Sequence, residues 1–92
     1  MSVRISIPTA LRGFAEGQAA VEVDGNTAGE ALHALTSRFP GLSKHLRTED
    51  GKLRSFVNVY LNEDDIRHLE REATPLKSGD ALTIVPAIAG GR

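Results

Sequence analysis

Ile84-Val85-Pro86-Ala87-Ile88-Ala89-Gly90-Gly91-Arg92 is the stretch on which the fold turns. It begins as an apolar, β-branched run, which reads as the end of a strand. Pro86 then removes a ladder donor, small residues follow, and two glycines come next. A Gly-Gly pair has no side chain to pack and loses more backbone entropy on ordering than any other pair, so it adds little to a fold. It offers instead a thin strip of backbone that fits a narrow slot in another protein. Taken alone, such a pair reads equally as a frayed terminus. The elements upstream decide between the two.

Working back from that run, Pro75-Leu76-Lys77-Ser78-Gly79-Asp80 is a turn with glycine where a positive φ is easily adopted. The strand it opens, Ala81 to Pro86, points Leu82 and Ile84 to one face. Arg54 to Asn62 reads as a long strand with Val57, Val59 and Leu61 on one face and Phe56, Asn58 and Tyr60 on the other. Glu63-Asp64-Asp65 is expected to break it, because three adjacent like charges prefer solvent. Ile66 and Leu69 are the expected core residues of the weakly patterned stretch that follows.

At the other end, Val3-Arg4-Ile5-Ser6-Ile7 alternates and places Val3, Ile5 and Ile7 inward, until Pro8 closes it. Thr9 to Gly17 reads as a connecting loop into a second alternating strand, Ala19 to Asp24, and the two strands form a hairpin. After the Asp24-Gly25-Asn26 turn, Thr27-Ala28-Gly29-Glu30 matches a capping box, with Thr27 as N-cap and Glu30 reaching back. Ala28, Ala31, Leu32, Leu35 and Phe39 then recur at helical spacing, and Pro40-Gly41 stops the helix. Leu42 and Leu46 suit one further helical turn.

The order is β-β-α-β-(irregular)-β, with one main amphipathic helix. A single helix covers only one face of a sheet, so the class is two-layer α+β. The ubiquitin-like β-grasp satisfies it: a mixed sheet of four to five strands, with the last strand parallel to the first in the middle. This predicts a β-grasp domain over residues 1–87 and a flexible Gly-Gly tail over 88–92 that projects from the body.

Composition narrows the function. Ninety-two residues make one domain. A net charge of −1 with no basic stripe, and an aromatic complement of one Tyr, three Phe and no Trp, argue against nucleic acid as a partner. Cysteine is absent, which excludes disulfides, thiolate metal sites and a nucleophilic thiol on this chain. Met1-Ser2-Val3-Arg4 runs directly into a strand, and no apolar run approaches membrane-spanning length, so a cytoplasmic location away from membranes is expected.

Other candidate chemistry fits poorly. His33, His45 and His68 lack a ligand spacing, and no metal site is expected. Glu63-Asp64-Asp65 lacks the alternating ligands and glycine of a calcium loop. No nucleophile elbow, dinucleotide fingerprint or phosphate loop is present. Arg4, Arg12, Arg54, Arg67 and Arg71 read as ordinary surface charge, the alternative being that some of them face an acidic groove on a partner.

With that order and a Gly-Gly end, the chain resembles the ubiquitin-like sulfur carriers of the MoaD/ThiS family, and within it the CysO-type carriers of actinobacterial cysteine biosynthesis. The residues that carry the resemblance are Ser6-Ile7-Pro8-Thr9 with Leu11-Arg12, Gly51-Lys52-Leu53, Phe56-Val57-Asn58-Val59-Tyr60, and Ile84-Val85-Pro86-Ala87 running into Ala89-Gly90-Gly91. The resemblance implies a protein co-substrate that is not itself an enzyme and binds no cofactor. An E1-like adenylyltransferase, in some cases with a rhodanese domain, uses MgATP to activate the terminal glycine carboxylate. Sulfur then replaces AMP to give a thiocarboxylate, which a sulfur-accepting synthase consumes.

Carried over by position, Gly91 bears the reactive carbonyl and Gly90 gives the slender approach. Ala87, Ile88 and Ala89 thread the partner's channel, with Ile88 the one sizeable apolar anchor. Arg92 departs from the pattern, because it leaves Gly91 in an amide. A C-terminal peptidase that removes Arg92 is therefore a further expected partner. Two other functions suit the same residues, the small subunit of molybdopterin synthase and a ubiquitin-like protein modifier.

Overall fold

The computed structural model describes residues 2–50, 53–54 and 57–86. Five strands form one mixed sheet: β1 (Ser2–Ser6), β2 (Ala20–Asp24), β3 (Val57–Leu61), β4 (Asp64–Asp65) and β5 (Ala81–Pro86). Their order across the sheet is β2-β1-β5-β3-β4. β1 and β5 run parallel in the middle and every other neighbouring pair is antiparallel. Helices α1 (Ala28–Arg38) and α2 (Pro40–Leu46) accompany the sheet. This is the expected β-grasp, with the N-terminal hairpin and the parallel β1–β5 pair where the alternation places them.

The core follows the sequence periods. Val3, Ile5, Val21, Val23, Val57, Val59, Leu82 and Ile84 are the inward strand residues, and all are buried, as is Ile7 just past the end of β1. They meet Ala28, Ala31, Leu32 and Leu35 of α1, Phe39 beyond its end, and Leu42 and Leu46 of α2. Leu61 is only partly buried, at the edge of that cluster. Pro40 explains why there are two helices. It disfavours the helical region for Phe39, which sits at φ −127° and ψ 83°, and it then serves as the first residue of α2, where its missing N–H costs nothing.

The capping box forms with one change. The backbone N–H of Glu30 donates to Thr27 Oγ1 at 3.2 Å, but Glu30 Oε1 accepts from the N–H of Asn26 at 2.9 Å, one residue before the cap. A second donor at the helix start, the Ala28 N–H, goes to the carbonyl of Thr74 at 2.9 Å. The 71–76 strap is therefore fastened to the head of α1, and Leu76, whose N–H donates to Asn26 O, is buried below it.

Four expectations are corrected. Thr9 to Gly17 is not a plain loop: Thr9–Ala15 is a 3₁₀ helix that buries Leu11 and Ala15. Pro8 presets its entry, Leu11 N–H closes on Pro8 O at 2.9 Å, and the positive φ of Glu16 (57°) and Gly17 (79°) ends it. Glu63-Asp64-Asp65 does not simply break β3. Asn62, at φ 57°, turns the chain, and Asp64–Asp65 pairs back on Tyr60 and Leu61 as a two-residue edge strand. The charged side chains suit an edge, where they discourage pairing with another chain.

Leu69 is 42% exposed and not a core residue. The 3₁₀ turn Ile66–His68 ends before it, and its backbone (φ −111°, ψ −124°) leaves that turn. β3, Val57–Leu61, is also shorter than the Arg54–Asn62 expectation: the Arg54 N–H bonds Leu46 O, and Asn62 turns the chain at φ 57°.

Candidate functional site at the root of the tail

β5 is held on both sides along most of its length, but unequally at its end. On the β1 side the register stops at Ser6↔Thr83, after which β1 leaves through Ile7 and Pro8. On the β3 side it continues through Asn58↔Val85 to Val57↔Pro86. Pro86 has no N–H to offer the ladder, so the last strand position suits it. Ile84 is buried on the helix side, whereas Val85 is 40% exposed on the other face. Ala87, Ile88, Ala89, Gly90, Gly91 and Arg92, the residues expected to thread a partner and carry the chemistry, lie outside the described residues. So does the expected domain boundary after residue 87. The described residues provide the root from which that segment departs.

The root is braced from below. Arg67 Nη2 donates to the carbonyl of Val57 at 3.0 Å, on the residue paired with Pro86. Beside it is a cavity of about 410 Å³ lined by Leu53, Val57, Val59, Ile66, Arg67, Arg71 and Glu72, of which Val57, Val59 and Ile66 are core residues almost closed to solvent. Glu72 Oε1 accepts from Arg47 Nη2 at 3.1 Å. Arg71 is held in the left-handed region at φ 55°, a conformation that costs a non-glycine residue about 1–2 kcal/mol.

Thr74 over-determines that conformation. It is 3% exposed, its hydroxyl donates to Arg71 O at 2.6 Å and accepts from the Glu70 N–H at 3.0 Å, and its own N–H also reaches Arg71 O. Thr74→Val keeps the shape and removes both hydroxyl bonds. It is expected to cost about 1–3 kcal/mol in urea unfolding, because a partly buried N–H loses its partner. An unchanged unfolding midpoint would contradict the lock.

The arginines are mostly internal fasteners, which their scatter along the sequence conceals. Arg12 Nε donates to Ile7 O at 3.0 Å, Arg54 Nε to Lys44 O at 2.9 Å, and Arg67 to Val57 O. Arg4 meets Glu22 across the β1–β2 hairpin at 3.5 Å, and both are well exposed, so the pair contributes little. The histidines are dispersed. His33 lies on α1, His45 on α2 stacks on Phe14 with centroids 4.3 Å apart, and His68 ends the 3₁₀ turn. Among the described residues no group of three or more His, Cys, Asp or Glu is arranged to hold a metal. None of their helices is long and apolar enough to cross a membrane.

Known proteins share this architecture and sequence. The ThiS family model matches residues 5–91, ending on Gly91. The sulfur carrier protein CysO of Mycobacterium tuberculosis is 42% identical over 93 residues, which cover 99% of this chain and 100% of that protein. A chain in the crystal structure of the Amycolatopsis orientalis BexX/CysO complex is 43% identical and superposes with a TM-score of 0.88 over 97% of this chain and 99% of its own. The small archaeal modifier protein 3 of Haloferax volcanii is 40% identical over 68 residues, 74% of this chain and 73% of that protein. The CysO relatives are small ubiquitin-like carriers rather than enzymes. The match from the first strand to Gly91, on a five-strand β-grasp, makes the chain a member of the ThiS family.

Proposed function

We propose that this protein is a CysO-like sulfur carrier whose Gly91 carbonyl carries the transferred sulfur. The observation that supports this most directly is the whole-length likeness to the M. tuberculosis carrier together with a family match that stops on Gly91. A carboxylate is resonance-stabilised and resists nucleophiles. One of its oxygens attacks the α-phosphorus of ATP on an E1-like enzyme, pyrophosphate leaves, and the resulting acyl-adenylate has a good leaving group. A sulfide equivalent attacks the acyl carbon, the C–O bond to AMP breaks, and a thiocarboxylate remains. MgATP belongs to the activating enzyme, and the carrier supplies the carboxylate and the slender Gly90-Gly91 approach.

In this reading Ala87, Ile88 and Ala89 lie in the enzyme's channel, Arg92 is removed by a peptidase beforehand, and a synthase takes the sulfur into cysteine or another sulfur-containing metabolite. That the A. orientalis carrier has been crystallised with BexX supports delivery to a partner protein. The chain ending at Gly91, mixed with the activating enzyme and MgATP, is expected to release pyrophosphate only when the chain is present. Release that does not depend on the chain would overturn the reading.

A second reading, protein modification, is favoured by the likeness to the H. volcanii modifier. It shares the adenylation step and differs afterwards: the modifier's glycine ends on the lysine amine of another protein, and the carrier's ends on sulfur.

A further inference from the structure

We infer that Pro8 and Pro86 are positioning residues that act as a pair: together they end the parallel ladder between β1 and β5, and so set how far the segment after Pro86 reaches into a partner. The need for reach rests on the carrier reading; the end of the ladder rests on geometry alone. The register Arg4↔Ala81, Ile5↔Leu82, Ser6↔Thr83 turns the N–H and C=O groups of the even-numbered residues of both strands toward each other, as the Arg4 N–H donating to Asp80 O at 3.1 Å shows. Continued by one step, the ladder needs two donors. The N–H of residue 8 would point to Ile84 O, and the N–H of residue 86 to the carbonyl of residue 8. Both positions are proline, and a proline nitrogen has no hydrogen to give.

β1 does not lose β5 for want of extended backbone. Pro8 keeps φ −67° and ψ 152°, an extended conformation. One residue earlier, the Ile7 N–H still donates to Ala19 O at 2.8 Å, so the chain still runs beside the segment that leads into β2. Pairing is lost on the β5 side alone, where the donors are missing. Neither proline would suffice by itself. With Pro8 alone, a donor at 86 could still reach the Pro8 carbonyl; with Pro86 alone, a donor at 8 could still reach Ile84 O. The Pro8 carbonyl accepts instead from the Leu11 N–H at 2.9 Å, which starts the 3₁₀ helix.

On the β3 side the ladder runs out at the same place. The Asn62 N–H donates to Ala81 O at 2.8 Å, and alternation from that pair makes Asn58 and Val85 the last to exchange bonds. Val57 and Pro86 face each other as a non-bonded pair. Ladder bonds therefore hold β5 no further than Val85. Ala87 to Gly91 is five residues, whose fully extended reach is at most about 16–18 Å. Each residue that the sheet kept would take about 3.3–3.6 Å from that reach, and a carbonyl held back by one such step misses the group it must meet. A strand that must also deliver its end needs a fixed stopping point, and the two prolines supply it.

The test has two arms. The first needs no enzyme: amide hydrogen exchange, followed by NMR, of the full chain carrying Pro8→Ala or Pro86→Ala. Each substitution supplies one of the missing donors. The new amide at position 8 is expected to bond to Ile84 O, and that at position 86 to the Pro8 carbonyl. Each should exchange at least about tenfold more slowly than in an unstructured peptide. Exchange at the unstructured rate at either position would overturn the inference, since the ladder would then end without the prolines.

The second arm measures reach. The chain ending at Gly91 with both substitutions is compared with its parent as a substrate of the activating enzyme and MgATP, with and without two alanines inserted between Ala87 and Ile88. The double variant is expected to lose about tenfold in kcat/KM, and the insertion to recover most of that loss. An unchanged kcat/KM, or a loss that the insertion does not recover, would overturn the role in reach while leaving the carrier reading intact. A parent chain that the enzyme does not adenylate would overturn the carrier reading instead, and the exchange arm would still decide whether the prolines end the ladder.

Discussion

Leu35→Ala is expected to lose on the order of 2–5 kcal/mol of unfolding free energy. Leu35 is fully buried on the face of α1 that meets the sheet, in one cluster with Leu32, Val57, Leu82 and Ile84. Truncation removes most of an apolar side chain and leaves a cavity. Leu82 and Ile84 belong to β5, in the middle of the sheet, so the site collapses poorly, and the loss lies toward the upper part of the range. Small domains have about 5–15 kcal/mol in all, so the variant is close to the limit of folding. Urea unfolding with linear extrapolation measures the loss. Leu69→Ala is the control: Leu69 is 42% exposed, and its truncation is expected to stay within about 0.5 kcal/mol. A loss below about 1 kcal/mol at Leu35, or equal losses at both positions, would contradict the helix register.

Removal of Arg92 is expected to switch the chain from inert to active in adenylation. Gly91 is followed by Arg92, so as encoded its carbonyl is an amide and has no carboxylate oxygen to attack phosphorus. Adenylation of Arg92 instead would require a long cationic side chain to pass where glycine-sized groups pass. With activating enzyme and MgATP, the chain ending at Gly91 should release pyrophosphate and the chain ending at Arg92 should not, until a carboxypeptidase that removes basic residues is added. Gly90→Leu in the shortened chain should abolish release for a steric reason, with its unfolding unchanged. Equal release from the two lengths would contradict the requirement for processing.

The parts of the fold legible in the sequence are those with a period. Alternation located β1, β2 and β5, and the Thr27–Glu30 signature with apolar residues every three or four positions located α1, because burial on one face is what creates those patterns. The 3₁₀ helix Thr9–Ala15 was not legible, since it buries only Leu11 and Ala15, and Gly13 within it and Gly17 after it read as loop. The Asp64–Asp65 strand was missed because an edge pairing uses backbone groups and is indifferent to side-chain charge. Leu69 was misplaced because its spacing from Ile66 matches a helical face, whereas the turn stops short of it.

The segment proposed to carry the chemistry is marked in the sequence by its glycines and lies outside the described residues, whereas the cavity beside Val57 leaves no mark in the sequence. Its lining comes from positions 53 to 72, set side by side only by the β3–β4 turn and the Thr74 lock. Nor does composition distinguish Arg12, Arg54 and Arg67, which fasten backbone carbonyls, from Arg71, which faces the cavity.

Intact mass of the chain ending at Gly91, after incubation with activating enzyme, MgATP and a sulfide source, tests the carrier function most directly. A gain of about 16 Da, the exchange of one oxygen for sulfur at the terminal carboxylate, is the predicted result. Fragmentation should place it on Gly91. An unchanged mass accompanied by pyrophosphate release, with the chain recovered instead on lysines of other proteins, would contradict it.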